Sequence, residues 1–119
     1  MDITPLIAAD RQVVQSYGQG RFRISGVVFA EPVFVTPSQS LSWNFTGDFS
    51  ALSPDSFPSL SPGILLLGCG ARAAFLPDLR ESLRPLRVTL DVMDTGAACR
   101  TYNVLMAEGR DVMAALVPV

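Results

Sequence analysis

At 119 residues with 49% hydrophobic side chains, the chain has the size of one domain and enough apolar surface to offset the entropy of ordering its backbone. Disorder is excluded, and a single domain over 1–119 is predicted. Eleven carboxylates against nine cations, all of them arginine, leave a net charge of −2, which gives little long-range attraction for phosphate backbones and disfavours nucleic acid as a partner. Histidine and lysine are absent, which excludes imidazole bases, Schiff-base amines and phosphate-loop lysines. Two cysteines without histidine make a poor zinc set, so neither a metal nor a cofactor is expected.

Residues 1–15 contain Pro5 and no clear period, and are expected to form an irregular arm, with regular structure beginning near Gly20. The N-terminus shows no basic stretch leading into an apolar run and a small-residue cleavage site. The longest strongly apolar run, 64–67, is far short of the ~20 residues that span a bilayer. A cytoplasmic protein without a transmembrane segment is therefore expected.

From Arg21 the alternation of Arg21-Phe22-Arg23-Ile24 predicts a half-buried strand, and Gly26 leads into Val27-Val28-Phe29 as the second arm of a hairpin. Val33-Phe34-Val35 follows Pro32, a turn is expected at Pro37-Ser38-Gln39, and residues 41–45 alternate as a further strand. Residues 46–62 carry Gly47, Pro54, Pro58 and Pro62, which interrupt any long element, yet Leu52, Phe57 and Leu60 mark them as a connection inside the domain.

The C-terminal half changes character. Residues 63–67 are a continuous apolar run ended by Gly68-Cys69-Gly70, as for a strand buried on both faces. Pro77 suits a helix start, and Pro85 disfavours helical geometry at Arg84, so that helix is short. Val88, Leu90 and Val92 alternate with polar residues over 87–93. Asp94-Thr95 supplies capping oxygens for a second helix with Ala98, Tyr102 and Leu105 as its buried stripe and Gly109 as its stop, before a last strand over 112–117. The fold class is thus α/β: a strand-rich N-terminal half followed by a β-α-β-α-β half, with helices packed on a layered mixed sheet.

Gly68-Cys69-Gly70-Ala71-Arg72-Ala73 matches the relaxed dinucleotide fingerprint, with Asp91 near the position of a ribose contact. A helix opened directly by those glycines would carry Pro77 in its interior, so a tight strand exit is the better account. Cys69 and Cys99 are each either a reactive thiol near a helix start or a small buried apolar residue. On the second helix, Arg100, Asn103, Ala107 and Arg110 approximate a polar face. It either recognises a partner or fixes the helix, with Asn103 and Glu108 bonded to backbone or to Arg110.

Four segments, in this order and spacing, carry a resemblance: Gly63-Ile64-Leu65-Leu66-Leu67-Gly68-Cys69-Gly70, the run 94–105, Glu108-Gly109-Arg110, and Ala114-Ala115-Leu116-Val117-Pro118. They resemble the family of mitochondrial complex I assembly factor 3 and its bacterial and archaeal relatives of unknown function. The resemblance implies a compact α/β domain of this length, no established catalytic residues, and an association with complex I assembly in mitochondria. The family pattern has threonine between the two glycines where this chain has Cys69, so no hydroxyl role is carried over to that position.

The reading is a non-enzymatic binding or assembly-factor-like module whose partner is another protein, supporting, by that resemblance, assembly of a respiratory or membrane protein complex. Its candidate binding crevice lies at the strand ends and comprises Gly68, Cys69, Gly70, Asp94, Thr95, Cys99, Arg100, Thr101 and Asn103. The alternative is a small-molecule-binding protein or small enzyme using Asp94 as base or Cys99 as nucleophile in the same crevice.

Overall fold

The computed structural model describes residues 10–119. Most of the arm expected over 1–15 lies outside them. What is described of it turns at Asp10 and enters a strand, β1 (Val14–Gly18), earlier than the sequence pattern indicated. That strand pairs antiparallel with β2 (Arg21–Ile24), which pairs with β3 (Val27–Phe29) in the expected hairpin. The hairpin turn is Ser25-Gly26, with both residues at positive φ, the geometry that matches the twist of the flanking strands.

A second sheet has five strands in the order β5-β4-β8-β6-β7, formed by β4 (Val33–Val35), β5 (Ser40–Ser42), β6 (Gly63–Gly68), β7 (Val88–Met93) and β8 (Val112–Leu116). The pairs β5-β4 and β4-β8 are antiparallel, whereas β8-β6 and β6-β7 are parallel. Helix α1 (Pro77–Leu83) links β6 to β7, and α2 (Thr95–Ala107) carries the chain back past β6 to β8. Strand order therefore reverses between β6 and β8.

The three central strands β4, β8 and β6 are apolar runs because both of their faces are covered. Leu66, Val33, Val35, Val112, Ala114 and Leu116 face α2 and the three-stranded sheet, where Ala98, Cys99, Tyr102, Phe22 and Ile24 meet them. Leu65, Leu67, Phe34, Met113 and Ala115 face the other way, toward α1 and the 46–62 connection.

That connection contains only two short 3-10 turns, Phe49–Ala51 and Pro54–Ser56, and its Phe57 is buried. β5 is shorter than the alternation over 41–45 suggested. Trp43 leaves the sheet and stacks between Phe45 (4.8 Å between centroids) and Phe57 (5.5 Å), its indole N–H donating to the Ser56 carbonyl at 2.8 Å. Helix α1 starts at Pro77 and gives way to a 3-10 turn over Arg84–Leu86, as Pro85 dictates.

At the end of β6 the backbone runs so close to α2 that a Cβ on Gly68 would lie 3.0 Å from the Thr95 Cα and 3.1 Å from both the Ala98 Cβ and a Leu116 methyl. The neighbours are backbone and packed core, which have little room to move. Gly68→Ala is expected to cost about 1–3 kcal/mol of stability by overpacking, read as a lowered urea midpoint with an unchanged denaturant slope.

Candidate functional site at the strand ends

The carboxyl ends of β6 and β8, where strand order reverses, are where open α/β sheets place ligands. Here that position is occupied by the first turn of α2. Asp94 caps the helix, its carboxylate accepting from the Ala97 N–H at 2.9 Å, and this places Thr95 between the two strand exits. The Thr95 hydroxyl accepts from the Gly70 N–H at 2.7 Å and donates to the Val117 carbonyl at 2.7 Å. The Thr95 N–H donates to the Gly70 carbonyl at 2.9 Å, and the Val117 N–H to that of Gly68 at 2.9 Å. Gly70 has φ +89°, a conformation that L side chains rarely adopt, and this turns its carbonyl and N–H toward Thr95. Thr95 is fully buried, and among the described residues no buried side-chain nitrogen or oxygen lacks a hydrogen-bond partner.

The predicted site residues thus fall into distinct groups. Gly68, Gly70, Asp94 and Thr95 are brought together, as one hydrogen-bonded and close-packed cluster. Cys69 and Cys99 are not: both are buried free thiols, but Cys69 packs with the α1 side of the sheet and Cys99 with the α2 side. Burial pushes the Cys69 thiol up, opposed by a backbone hydrogen bond from Ala74. It pushes Cys99 up to about 12 despite the neighbouring Arg100 guanidinium. Thiols held protonated at neutral pH are poor nucleophiles. The glycine turn does not open into a helix, since residues 71–76 intervene before α1.

Asn103 faces β1. Its side-chain oxygen accepts from the Val14 N–H at 3.0 Å and its amide donates to the Val14 carbonyl at 2.8 Å, so one side chain satisfies both main-chain groups of that residue. Beside it the Tyr102 hydroxyl donates to the Gln12 carbonyl at 2.7 Å. Glu108 and Arg110 form a loose, half-exposed pair at 3.8 Å. Of the residues predicted for the crevice, Arg100 is the exposed polar side chain, while Thr101 is half-buried.

A guanidinium N–H of Arg100 donates to the hydroxyl of Tyr17, a residue of β1 that the sequence pattern did not single out. The Tyr17 ring is 39% exposed and crosses the first turn of α2, where a Cβ on Gly96 would come within 3.1 Å of it. A side chain at Gly96 would crowd that crossing. No local signal in the sequence joins residue 17 to residue 100; the glycine in the helix's first turn is the one trace of the contact.

These features describe a mixed-sheet α/β domain whose strand-end polar groups are closed on one another and whose outward face carries an arginine and a tyrosine. Residues 14–117 match the family described as a protein of unknown function (DUF498/DUF598), and the chain belongs to that family. An uncharacterized protein of Rhodobacter capsulatus is 38% identical over 106 residues, covering 88% of this chain and 83% of that one. The NADH dehydrogenase (ubiquinone) 1 alpha subcomplex assembly factor 3 of Drosophila melanogaster is 35% identical over 115 residues; these cover 89% of this chain but only 58% of the fly protein's length. A crystal structure of a protein from Bordetella parapertussis superposes with a TM-score of 0.82 at 34% identity, covering 92% of this chain and 97% of that one. The resemblance read over the C-terminal half therefore extends to nearly the whole chain. Among the described residues no helix is long and apolar enough to cross a membrane.

Asn103→Ala is expected to lower stability by about 1–3 kcal/mol, because the Val14 main chain loses both partners while half-buried. Its hydrogen-exchange signature is faster exchange confined to β1 and β2. A second expectation concerns alkaline pH. Cys99 holds its proton in the fold to about 12 against an ordinary 9.0, so its contribution is complete below pH 9 and is lost as the pH rises toward 12. Tyr102, also pushed up by burial, adds loss of the same sign at higher pH. Between pH 9 and 10, Cys99→Ala should show a shallower fall in stability than the parent, by at most about 1.4 kcal/mol per pH unit.

Proposed function

We propose that the chain is a non-enzymatic, protein-binding module of the assembly-factor type that acts from the cytoplasm to support assembly of a respiratory or membrane protein complex. Its partner contacts the strand-end face running from Gly68–Gly70 across Asp94 to Asn103, with Arg100 as the charged contact and Tyr17 beside it.

The observation that carries this reading is the division of polar groups at the strand ends. Thr95, Asp94 and Asn103 are engaged in internal hydrogen bonds, and the thiols of Cys69 and Cys99 are buried and raised. What faces solvent is a planar guanidinium and an aromatic ring, groups suited to recognition and enriched at protein interfaces. The assembly factors among the relatives support the same class of role.

The test is affinity capture of the tagged protein from its own host, with an Arg100→Glu variant of confirmed fold alongside and the captured proteins identified by mass spectrometry. Specific proteins captured by the parent and lost by Arg100→Glu are expected. An identical set from both would overturn Arg100 as the contact.

A further inference from the structure

After Gly70 the chain runs through residues 71–76 to α1, and Phe75 on this segment is 89% exposed, the most exposed large hydrophobic side chain among the described residues. It is not an isolated surface residue. With Phe49, Leu52 and Leu76 it lines a cleft of about 140 Å³, and Leu52 is shared with a second cleft of about 340 Å³ walled by Phe45. Phe45 in the larger cleft and Phe49 in the smaller continue a stack of rings, Phe57, Trp43, Phe45 and Phe49 following one another at 5.5, 4.8 and 4.8 Å between centroids, which ties the clefts to the core.

The charged side chains lining these two clefts are Asp48, Asp55 and Asp78, with no arginine among them. Asp48 is held ready in charged form: its carboxylate accepts from the Ser50 hydroxyl at 2.6 Å and the Ser50 N–H at 3.0 Å, and these bonds keep it below the usual carboxylate range. In a chain whose net charge is only −2, three carboxylates thus line two clefts joined at Leu52, with the exposed Phe75 on the wall of one.

We propose that the groove between Phe75 and Leu52 is the docking site for a basic amphipathic segment of a partner protein, its apolar residues seated on Phe75 and its arginines or lysines facing Asp48, Asp55 and Asp78. The inference rests on the reading that the chain binds a protein, and names the chemistry of what is bound. Apolar anchors in a groove supply affinity, and the acidic rim selects the sign of the flanking charge. A second copy of this chain is a poorer occupant. The chain does carry arginines next to an exposed apolar residue, Arg21 and Arg23 around Val28, but on a different surface. Joining two different surfaces makes a head-to-tail contact that does not close as a dimer.

The probe is a fluorescein-labelled 18-residue peptide of leucine and arginine, with leucines at helical spacing, set against the same peptide with glutamate for arginine. Binding is followed by anisotropy. The parent is expected to bind the arginine peptide and not the glutamate peptide. Phe75→Ser should weaken that binding by about tenfold at unchanged melting temperature, since the side chain is exposed. Asp48→Asn with Asp78→Asn should weaken it and flatten its salt dependence, asparagine preserving the capping bond at residue 48. Equal affinity for the two peptides, or no loss in Phe75→Ser, overturns the inference. So does self-association in sedimentation that Phe75→Ser abolishes, which would make the occupant a second copy. Captured proteins lost by Arg100→Glu but kept by Phe75→Ser would overturn this inference and leave the proposed function standing, whereas proteins kept by both variants would overturn this inference and Arg100 as the contact.

Discussion

Between the ends of β6 and β8 a single buried hydroxyl, that of Thr95, accepts one hydrogen bond and donates another, and the placement of α2 depends on it. Two parallel strands leave main-chain groups unpaired where they exit a sheet, and buried groups of this kind must find partners. Here the Gly70 N–H and the Val117 carbonyl find the same oxygen. Because Thr95 also opens a capped helix, satisfying the strand exits fixes where α2 begins and which way it runs. Gly68 completes the constraint by letting the helix approach the strand at contact distance.

Once α2 is set, the three-stranded sheet follows. Its edge strand β1 is held by Asn103 and Tyr102 through the backbone of Val14 and Gln12, and its inner face by Phe22 and Ile24 packing against the helix. One helix therefore serves three partners: the strand exits at its start, the five-stranded sheet along one side and the small sheet along another. This arrangement gives structural roles to groups that the sequence offered as candidates for chemistry or recognition. Asp94 is a cap, Asn103 a clamp, and Cys99 a buried apolar contact.

The β-α-β-α-β half was legible because its boundaries are set by local chemistry: Pro77 and Pro85 bracket α1, Asp94 caps α2 and Gly109 follows its last turn. β1 was not, because Val14-Gln15-Ser16-Tyr17-Gly18 has no clean alternation. A register shift between Val14 and Ser16 breaks its period, and its order comes from Asn103, 89 residues away. The alternation over 41–45 was read as strand throughout, although Trp43 and Phe45 belong to the aromatic stack. At the site, helical spacing placed Arg100 and Asn103 on one polar face. It could not say that Asn103 would meet a backbone and Arg100 a tyrosine, since both partners lie on a strand the local pattern had not revealed.

The distribution of burial also separates the two ways a small domain can use polar residues. Groups that must react need a free lone pair or an ionisable proton near the working pH, together with a space for substrate. At the strand ends the Thr95 hydroxyl is doubly bonded and burial raises both thiols. Groups that recognise need exposure, rigidity and a defined sign of charge. The exposed Phe75 and Arg100 are groups of that kind, and they sit on segments that leave the same end of the parallel strands: the loop after β6 and the helix after β7. Thr95 thus closes the strand exits on one another, and the groups left facing solvent at this end are mixed apolar and charged, the composition that the proposed protein partner would meet.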